Sequence, residues 1–98
     1  MSSFSEILAQ DKPVLIDFFA TWCGPCKTMS PILNQVKETL KDTAIILKID
    51  VDKNQSLASK LNVRGVPTLV LYKDKKIVWR KSGVLTKDVL VTKVREYI

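Results

Sequence analysis

The feature that most constrains the fold is an apolar, strand-like run followed a few residues later by a long stretch with helical apolar periodicity. Residues Val14 to Phe19 are apolar except at Asp17, which is typical of a central strand covered on both faces. From Pro25 to Leu40 the apolar spacing predicts a helix that Pro31 kinks but does not end. A second strand from Ala44 to Ile49 predicts a parallel pair with a right-handed crossover.

Shorter helices are predicted around this unit. A capping box at Ser3 and Glu6 opens a helix to about Gln10. Residues 54–61 carry the apolar face of a second short helix. Thr86 caps a last helix whose apolar positions extend to Ile98.

Two further strands complete the sheet. They are predicted over Thr68 to Tyr72 and over Ile77 to Arg80, with residues 73–76 between them. So short a link makes the two strands an antiparallel hairpin. The link lacks Asn-Gly and Asp-Gly, so we expect a loop longer than the tightest turns. The predicted fold class is α/β, with a mixed four-stranded sheet and helices on both faces.

Length and composition limit the possible functions. The 98 residues predict a single domain over residues 1–98, with an ordinary apolar fraction of 46%. The chain has no histidine and two cysteines, which excludes Ser-His-Asp and Cys-His catalysis and a four-ligand zinc site within one chain. The N-terminus shows no secretion signal, and no apolar run approaches the roughly 20 residues of a membrane span. We therefore expect a cytoplasmic protein that is not inserted in a membrane.

Positive charge is concentrated in the second half of the chain. Residues 50–98 hold eleven Lys and Arg against five Asp and Glu, which accounts for the whole net charge of +6. The densest cluster invites a nucleic-acid interpretation, but it equally describes a solvated hairpin whose lysines protect an edge strand. The second interpretation is favoured, and no nucleic-acid partner is expected, because Asp74 interrupts the cluster and few rings could stack on bases. The cluster consists of Lys73, Lys75, Lys76, Arg80 and Lys81.

Two cysteines occupy the junction between the first strand and the long helix. In Cys23-Gly24-Pro25-Cys26 the spacing allows a small disulfide ring and places the first thiol at a helix N-terminus. The partial positive charge there favours a thiolate, so Cys23 is predicted to be the stronger nucleophile and Cys26 the more buried residue. Pro25 suits the first helical position, where its missing N–H costs little.

Other interpretations of the cysteines remain open. They are a structural disulfide, half of a zinc site shared by two chains, and two inert core cysteines. The redox interpretation is favoured because a Cys-x-x-Cys motif beside a strand–helix–strand unit is typical of redox domains. Asp17 adds to it, because a carboxylate in an apolar strand is costly unless paired or neutral, and burial would raise its pKa toward that of a useful base. The alternative for Asp17 is a structural ion pair with Lys48, and the two interpretations can coexist.

Two segments resemble those of a known family. The run from Phe18 to Lys27, with Trp-Cys-Gly-Pro-Cys, resembles the active-site segment of the thioredoxin family. Residues 64–69, Arg-Gly-Val-Pro-Thr-Leu, are similar to the cis-proline segment of that family. The resemblance implies a thioredoxin-like fold. It also implies a protein-disulfide reductase that performs reversible dithiol–disulfide exchange in cell redox homeostasis.

The resemblance also implies roles for individual residues. Cys23 would attack a client disulfide, and Cys26 would resolve the mixed disulfide. Asp17 would take or relay the proton of Cys26, and Lys48 would pair with Asp17. Pro67 would be cis and lie against Cys23. The implied substrate-binding residues are Trp22, Gly24, Pro25, Val66, Pro67 and Gly83.

Partners follow from the same resemblance. It implies a monomer with no cofactor beyond the redox-active Cys23–Cys26 disulfide. Electrons would come from a flavin- and NADPH-dependent thioredoxin reductase, with a ferredoxin-linked enzyme as the alternative. Clients would be diverse disulfide-containing proteins.

The chain also departs from the family pattern. The usual first strand has no counterpart, because only three residues precede Phe4, so the strand from Ala44 to Ile49 should lie nearer an edge. Two alternative functions stay open: a thiol oxidase or isomerase of the same fold, and a non-enzymatic basic binding module. The Gly24-Pro25 dipeptide favours a reductant. Trp22 packed partly into the core and Gly83 as a plain turn glycine also remain possible.

Overall fold

A mixed sheet lies at the centre of the structure, a computed structural model that describes residues 3–98. Within that range the sheet has four strands in the order β2-β1-β3-β4. β1 pairs parallel with β2 and antiparallel with β3, and β3 and β4 form an antiparallel hairpin, so the predicted sheet is confirmed. The strands are β1 Val14–Phe19, β2 Ile45–Asp50, β3 Thr68–Lys73 and β4 Lys76–Ser82. The helices are α1 Phe4–Leu8, α2 Gly24–Leu40, α3 Gln55–Lys60 and α4 Lys87–Arg95, with a 3-10 turn at Lys41–Thr43.

Both faces of β1 are covered, because successive strand residues point to opposite sides of the sheet. Leu15 faces the core under α2 and α4, whereas Ile16 and Phe18 face the core under α1 and α3. All three side chains are fully buried. The near-continuous apolar run therefore reflects two cores that share one central strand.

α2 carries the cysteines and continues through its proline. Cys23 is its N-cap, and Pro25 lies in the first turn, as predicted. Pro31 lies inside the helix on its exposed side, while the opposite side is buried against the sheet. The buried positions are Cys26, Met29, Leu33, Val36 and Leu40. Along residues 3–98 we find no helix with the length and apolar character needed to cross a membrane.

Two helices end earlier than predicted. α1 ends at Leu8 rather than near Gln10, although Ser3 caps it by accepting a hydrogen bond from the Glu6 N–H. α4 begins after the predicted cap Thr86 but ends at Arg95. Ala9 and Gln10 after α1 are exposed, whereas Tyr97 still packs against the core in the turn that follows α4.

The hairpin between β3 and β4 differs from the prediction. Its turn contains two residues, Asp74 and Lys75, with φ of 52° and 67°. Positive φ at both positions is the geometry of a type I′ turn, whose twist matches that of the strands it joins. The expected longer loop is therefore wrong, because the pairing of Lys73 with Lys76 outweighs the absence of glycine.

The edges of the sheet carry different protection. β2 lies at one edge, which confirms the prediction from the missing first strand. β4 lies at the other edge and carries most of the basic cluster. Arg80 donates hydrogen bonds to the carbonyls of Leu61 and Asn62 at the end of α3, and Lys73 donates to the carbonyl of Asp11. Part of the cluster thus stabilises neighbouring backbone, as the solvated-hairpin interpretation allows.

Candidate active site: the Cys23–Cys26 pair

The cysteine pair lies where β1 leaves the sheet and α2 begins. A turn from Ala20 leads into the helix, and the Cys23 N–H donates to the Ala20 carbonyl over 3.2 Å. The two Cα atoms are 5.3 Å apart and the sulfurs are joined in a disulfide. The Cys26 N–H donates to Cys23 Sγ over 3.1 Å. This sulfur therefore occupies the place of an N-cap acceptor, where a thiolate gains from the helix dipole.

Both cysteines are covered by neighbouring side chains. Each is 4% exposed, so the expectation that Cys26 is the more buried residue is not borne out. They pack in one small cluster with Ala20, and Val51 and Val66 lie against it. The segment that carries Val66 covers Cys23, which would otherwise be the outer sulfur. The position at the helix N-terminus, rather than exposure, is what distinguishes Cys23.

The segment before β3 lies directly against the disulfide. The Val66–Pro67 peptide bond is cis, as predicted, and the Val66 carbonyl oxygen is 3.6 Å from Cys23 Sγ. Pro67 is buried, and its carbonyl accepts a hydrogen bond of 2.9 Å from the Gly83 N–H. Thr68 Oγ1 donates to the Gly65 carbonyl over 2.6 Å. The segment is thus held on both sides and presents the Val66 backbone beside the sulfurs.

Open space surrounds two of the predicted substrate-binding glycines. A Cβ at Gly24 or at Gly83 would meet no atom of the described residues within 4 Å. Gly83 also has a φ of 97°, which L side chains rarely adopt. The positive φ explains why glycine suits this position, which fits the bulge or turn interpretation of Gly83 and leaves its predicted role in substrate binding untested. Pro25 is exposed next to Gly24.

Trp22 is a surface residue held by a carboxylate. Its side chain is 70% exposed, so the core-packing alternative is wrong. Trp22 Nε1 donates to Asp52 Oδ2 over 2.8 Å. Asp52 is fixed in turn, because its N–H donates to Asp50 Oδ1 over 2.9 Å in the loop after β2. The sequence did not reveal Asp52; the only available signal was a pair of aspartates directly after a predicted strand.

Asp17 is buried within β1, and no residue of 3–98 gives its carboxyl a hydrogen bond. The residue is 0% exposed. Burial raises the pKa of Asp17 from 3.8 to about 6, and the positive charge of Lys48 opposes this rise in pKa only in part. Such a carboxyl can gain and lose a proton near neutral pH.

Lys48 does not form the predicted ion pair with Asp17. The two residues oppose each other in the β1–β2 register, but Lys48 Nζ donates to Ser30 Oγ over 2.8 Å. The ammonium also lies 4.8 Å from the centre of the Phe19 ring. The physical reason is solvation, since an exposed ammonium keeps its water and a hydroxyl partner instead of entering the apolar core.

A cleft of about 210 Å³ opens to the surface beside Cys26 and Lys48. Cys26, Ser30 and Lys48 contribute to its wall, which places the second sulfur and the lysine at one opening. Its other lining residues are Phe19, Ala20, Thr21 and Lys27. Across residues 3–98 no group of three or more His, Cys, Asp or Glu side chains could hold a metal ion. The Cys23–Cys26 disulfide can undergo thiol–disulfide exchange, and the Asp17 carboxyl can exchange a proton.

Comparisons with known proteins agree with this geometry. A family model described as Thioredoxin matches residues 1–96. The chain is 39% identical over 94 residues to a thioredoxin of Chlorobaculum thiosulfatiphilum, covering 96% of this chain and 87% of that protein. The structure of a mutant thioredoxin from Halobacterium salinarum NRC-1 superimposes with a TM-score of 0.87 at 39% identity, covering 99% of this chain and 87% of the other.

Plant relatives match over a shorter part of their length. The chain is 50% identical over 94 residues to thioredoxin Y2, chloroplastic, of Arabidopsis thaliana, covering 95% of this chain. It spans about half of this plant protein and of the related thioredoxin Y1, chloroplastic, at 56% and 55% of their lengths. The matched region contains both cysteines and the cis-proline segment.

Proposed function

The chain belongs to the thioredoxin family, and from this premise we propose that it is a protein-disulfide reductase acting through Cys23 and Cys26. One observation carries the proposal. Cys23 Sγ accepts the Cys26 N–H at the start of α2 and faces the Val66 carbonyl at 3.6 Å. This arrangement favours a thiolate at the position where an extended client backbone would pass.

The reaction transfers two electrons to the client. The Cys23 thiolate attacks one sulfur of the client disulfide, a mixed disulfide forms, and the other client sulfur leaves as a thiolate that takes up a proton. Cys26 then loses its proton and attacks Cys23 Sγ. The mixed disulfide breaks, the second client sulfur leaves as a thiolate, and the Cys23–Cys26 disulfide remains. The client is reduced and this chain is oxidised.

Asp17 is proposed as the acceptor of the Cys26 proton. It is buried without a hydrogen-bond partner among the described residues, and its pKa of about 6 suits a base near neutral pH. A base is needed because a buried thiol has a raised pKa. The chain has no histidine that could take this role.

Clients would dock as extended segments beside Cys23. The Val66 backbone could pair with a client strand, and the open surface at Gly83 leaves room for it. The exposed Trp22 ring offers an apolar contact whose orientation Asp52 fixes. Because main-chain pairing accepts many side chains, specificity for clients should be loose.

Two of the finer assignments, the electron donor and the monomeric state, rest on family resemblance. We propose a flavin- and NADPH-dependent thioredoxin reductase as the electron donor, a monomeric state, and a cytoplasmic location. An oxidase or isomerase of the same fold is the second candidate, and the Gly24-Pro25 dipeptide argues against it. Measuring the Cys23–Cys26 reduction potential separates the two candidates, because an oxidase requires a value near those of strong oxidants.

Replacing the attacking sulfur tests the proposal. Cys23→Ser should abolish insulin-disulfide reduction with dithiothreitol as electron donor, because a serine hydroxyl cannot form the mixed disulfide. Cys26→Ser should instead accumulate a covalent complex with the client that reductant releases. Full reductase activity in Cys23→Ser would refute the mechanism. Salt-sensitive binding that survives this substitution would favour the basic binding module.

A further inference from the structure

Ser30 and Lys48 join α2 to β2 across the cleft beside Cys26. Lys48 Nζ donates to Ser30 Oγ over 2.8 Å, and the ammonium also lies 4.8 Å from the centre of the Phe19 ring. Ser30 follows Cys26 by one helical turn, so both side chains lie on the same side of α2 and line the same cleft. The serine hydroxyl is thus a polar acceptor on the helix side of this opening.

Without the Ser30 hydroxyl, the Lys48 ammonium would have the Asp17 carboxylate on the neighbouring strand as its other acceptor. Lys48 opposes Asp17 in the parallel register, so the two side chains leave neighbouring strands on the same face of the sheet. The lysine stem is long and flexible, and the Asp17 oxygens have no hydrogen-bond partner among residues 3–98. A flexible cation beside a buried, unpartnered carboxylate is expected to pair with it unless another group holds it.

We propose that Ser30 is a positioning residue that holds the Lys48 ammonium at the mouth of the cleft, away from Asp17. The Asp17 carboxyl then stays unpaired and free to exchange a proton with Cys26. This inference rests on the proposed function, since it assigns Ser30 to the proton-transfer step of that reaction.

Few other charged groups lie around Asp17. On β3 the residue opposite Asp17 is Leu69, and the buried side chains of α4 are apolar. Of the charges on neighbouring elements, Lys48 is the one that lowers the pKa of Asp17. The ionisable residues on the surrounding elements are Lys48 and Asp50 on β2, Cys26, Lys27, Lys37 and Glu38 on α2, Tyr72 and Lys73 on β3, Lys76, Arg80 and Lys81 on β4, and Lys87, Asp88, Lys93 and Arg95 on α4.

The test is a carboxyl-carbon NMR titration of Asp17 in the disulfide form. In that form the cysteines do not titrate, and the chain has no histidine, so the range from about pH 5 to pH 8 is clear of thiol and imidazole titrations. Ser30→Ala should lower the Asp17 pKa by about one pH unit, because the released ammonium moves to the carboxylate. Ser30→Thr keeps the hydroxyl and should restore the wild-type pKa.

Two further variants make the test specific. Ser56→Ala removes an exposed serine of α3 and should leave the Asp17 titration unchanged. In a Lys48→Met background, Ser30→Ala should produce no additional shift, because no ammonium remains to be moved. An unchanged Asp17 pKa in Ser30→Ala, or the same shift in the Lys48→Met background, overturns the proposal. The titration needs no reductase activity, so its failure is distinct from failure of the Cys23→Ser experiment.

Discussion

The backbone adopts positive φ at both ends of the sheet, but only the end near the cysteines has a glycine at that position. At the cysteine end Gly83 has a φ of 97°, and its N–H holds the Pro67 carbonyl. At the opposite end Asp74 and Lys75 have φ of 52° and 67°. Glycine adopts such angles at little cost, whereas a side chain pays about 1 kcal/mol.

The unfavourable free energy at the cysteine end lies instead in Asp17. Its burial raises its pKa to about 6, which disfavours the charged carboxylate, and the proposed reaction uses that property. The turn at Asp74 and Lys75 is remote from the cysteines along both strands of the hairpin. The unfavourable burial of Asp17 near the cysteines should therefore be coupled to activity, whereas backbone strain in the hairpin turn should not.

Replacing Asp17 should have the largest effect on stability. Asp17→Asn cannot ionise, so stability should stop depending on pH through this residue, and insulin reduction should slow because the proton acceptor is lost. In the wild type the folded-state pKa of about 6 exceeds the reference value of 3.8. This difference corresponds to about 3 kcal/mol.

The sign of this effect is fixed by proton binding. Between the two pKa values the folded wild type binds more protons than the unfolded chain, so its stability falls as the pH rises from about 4 to about 6, and then levels. Urea unfolding of the disulfide form at several pH values measures the fall. If Asp17→Asn loses as much stability as the wild type over this range, Asp17 is not the responsible group.

The sequence predicted the parts of the fold that depend on local patterns. The apolar run gave β1 its bounds, and the cysteine spacing placed the pair at the start of α2. The cis bond before Pro67 followed only from resemblance, since local sequence favours trans before proline. The sequence thus predicts features that depend on a periodic pattern within one segment or on a motif of fixed spacing.

Contacts between distant side chains could not be predicted. Trp22 with Asp52 and Lys48 with Ser30 each join two elements, and each bond depends on which rotamer the packing permits. The predicted Asp17–Lys48 pair is absent although the strand register is compatible with it, because the exposed Lys48 ammonium keeps its water and donates to Ser30 instead.

Gly83→Ala tests the cysteine end of the comparison. The added Cβ meets no neighbouring atom, so the cost comes from the φ of 97° alone, and we expect a loss of about 1–2 kcal/mol in unfolding free energy. Alanine keeps the N–H that holds Pro67, but relief of the strained φ should displace this N–H from the Pro67 carbonyl, so insulin reduction should show a raised KM. Gly65→Ala, at a glycine that also has open space but an ordinary φ, is the matched control for stability. Unchanged stability and KM in Gly83→Ala would mean that the glycine at this position contributes neither to stability nor to client binding.

Lys75→Gly tests the hairpin end and should have the smallest effect. Glycine suits the φ of 67° at this position and completes the Asp-Gly sequence favoured by type I′ turns, so we expect a gain of about 0.5–1 kcal/mol. Lys76→Gly is the matched control, since Lys76 is paired in β4 and its replacement should destabilise the hairpin. Insulin reduction by Lys75→Gly should equal that of the wild type. A change in reductase rate that accompanies the gain in stability would show that backbone strain in the hairpin turn is coupled to activity at the cysteines, contrary to the expectation above.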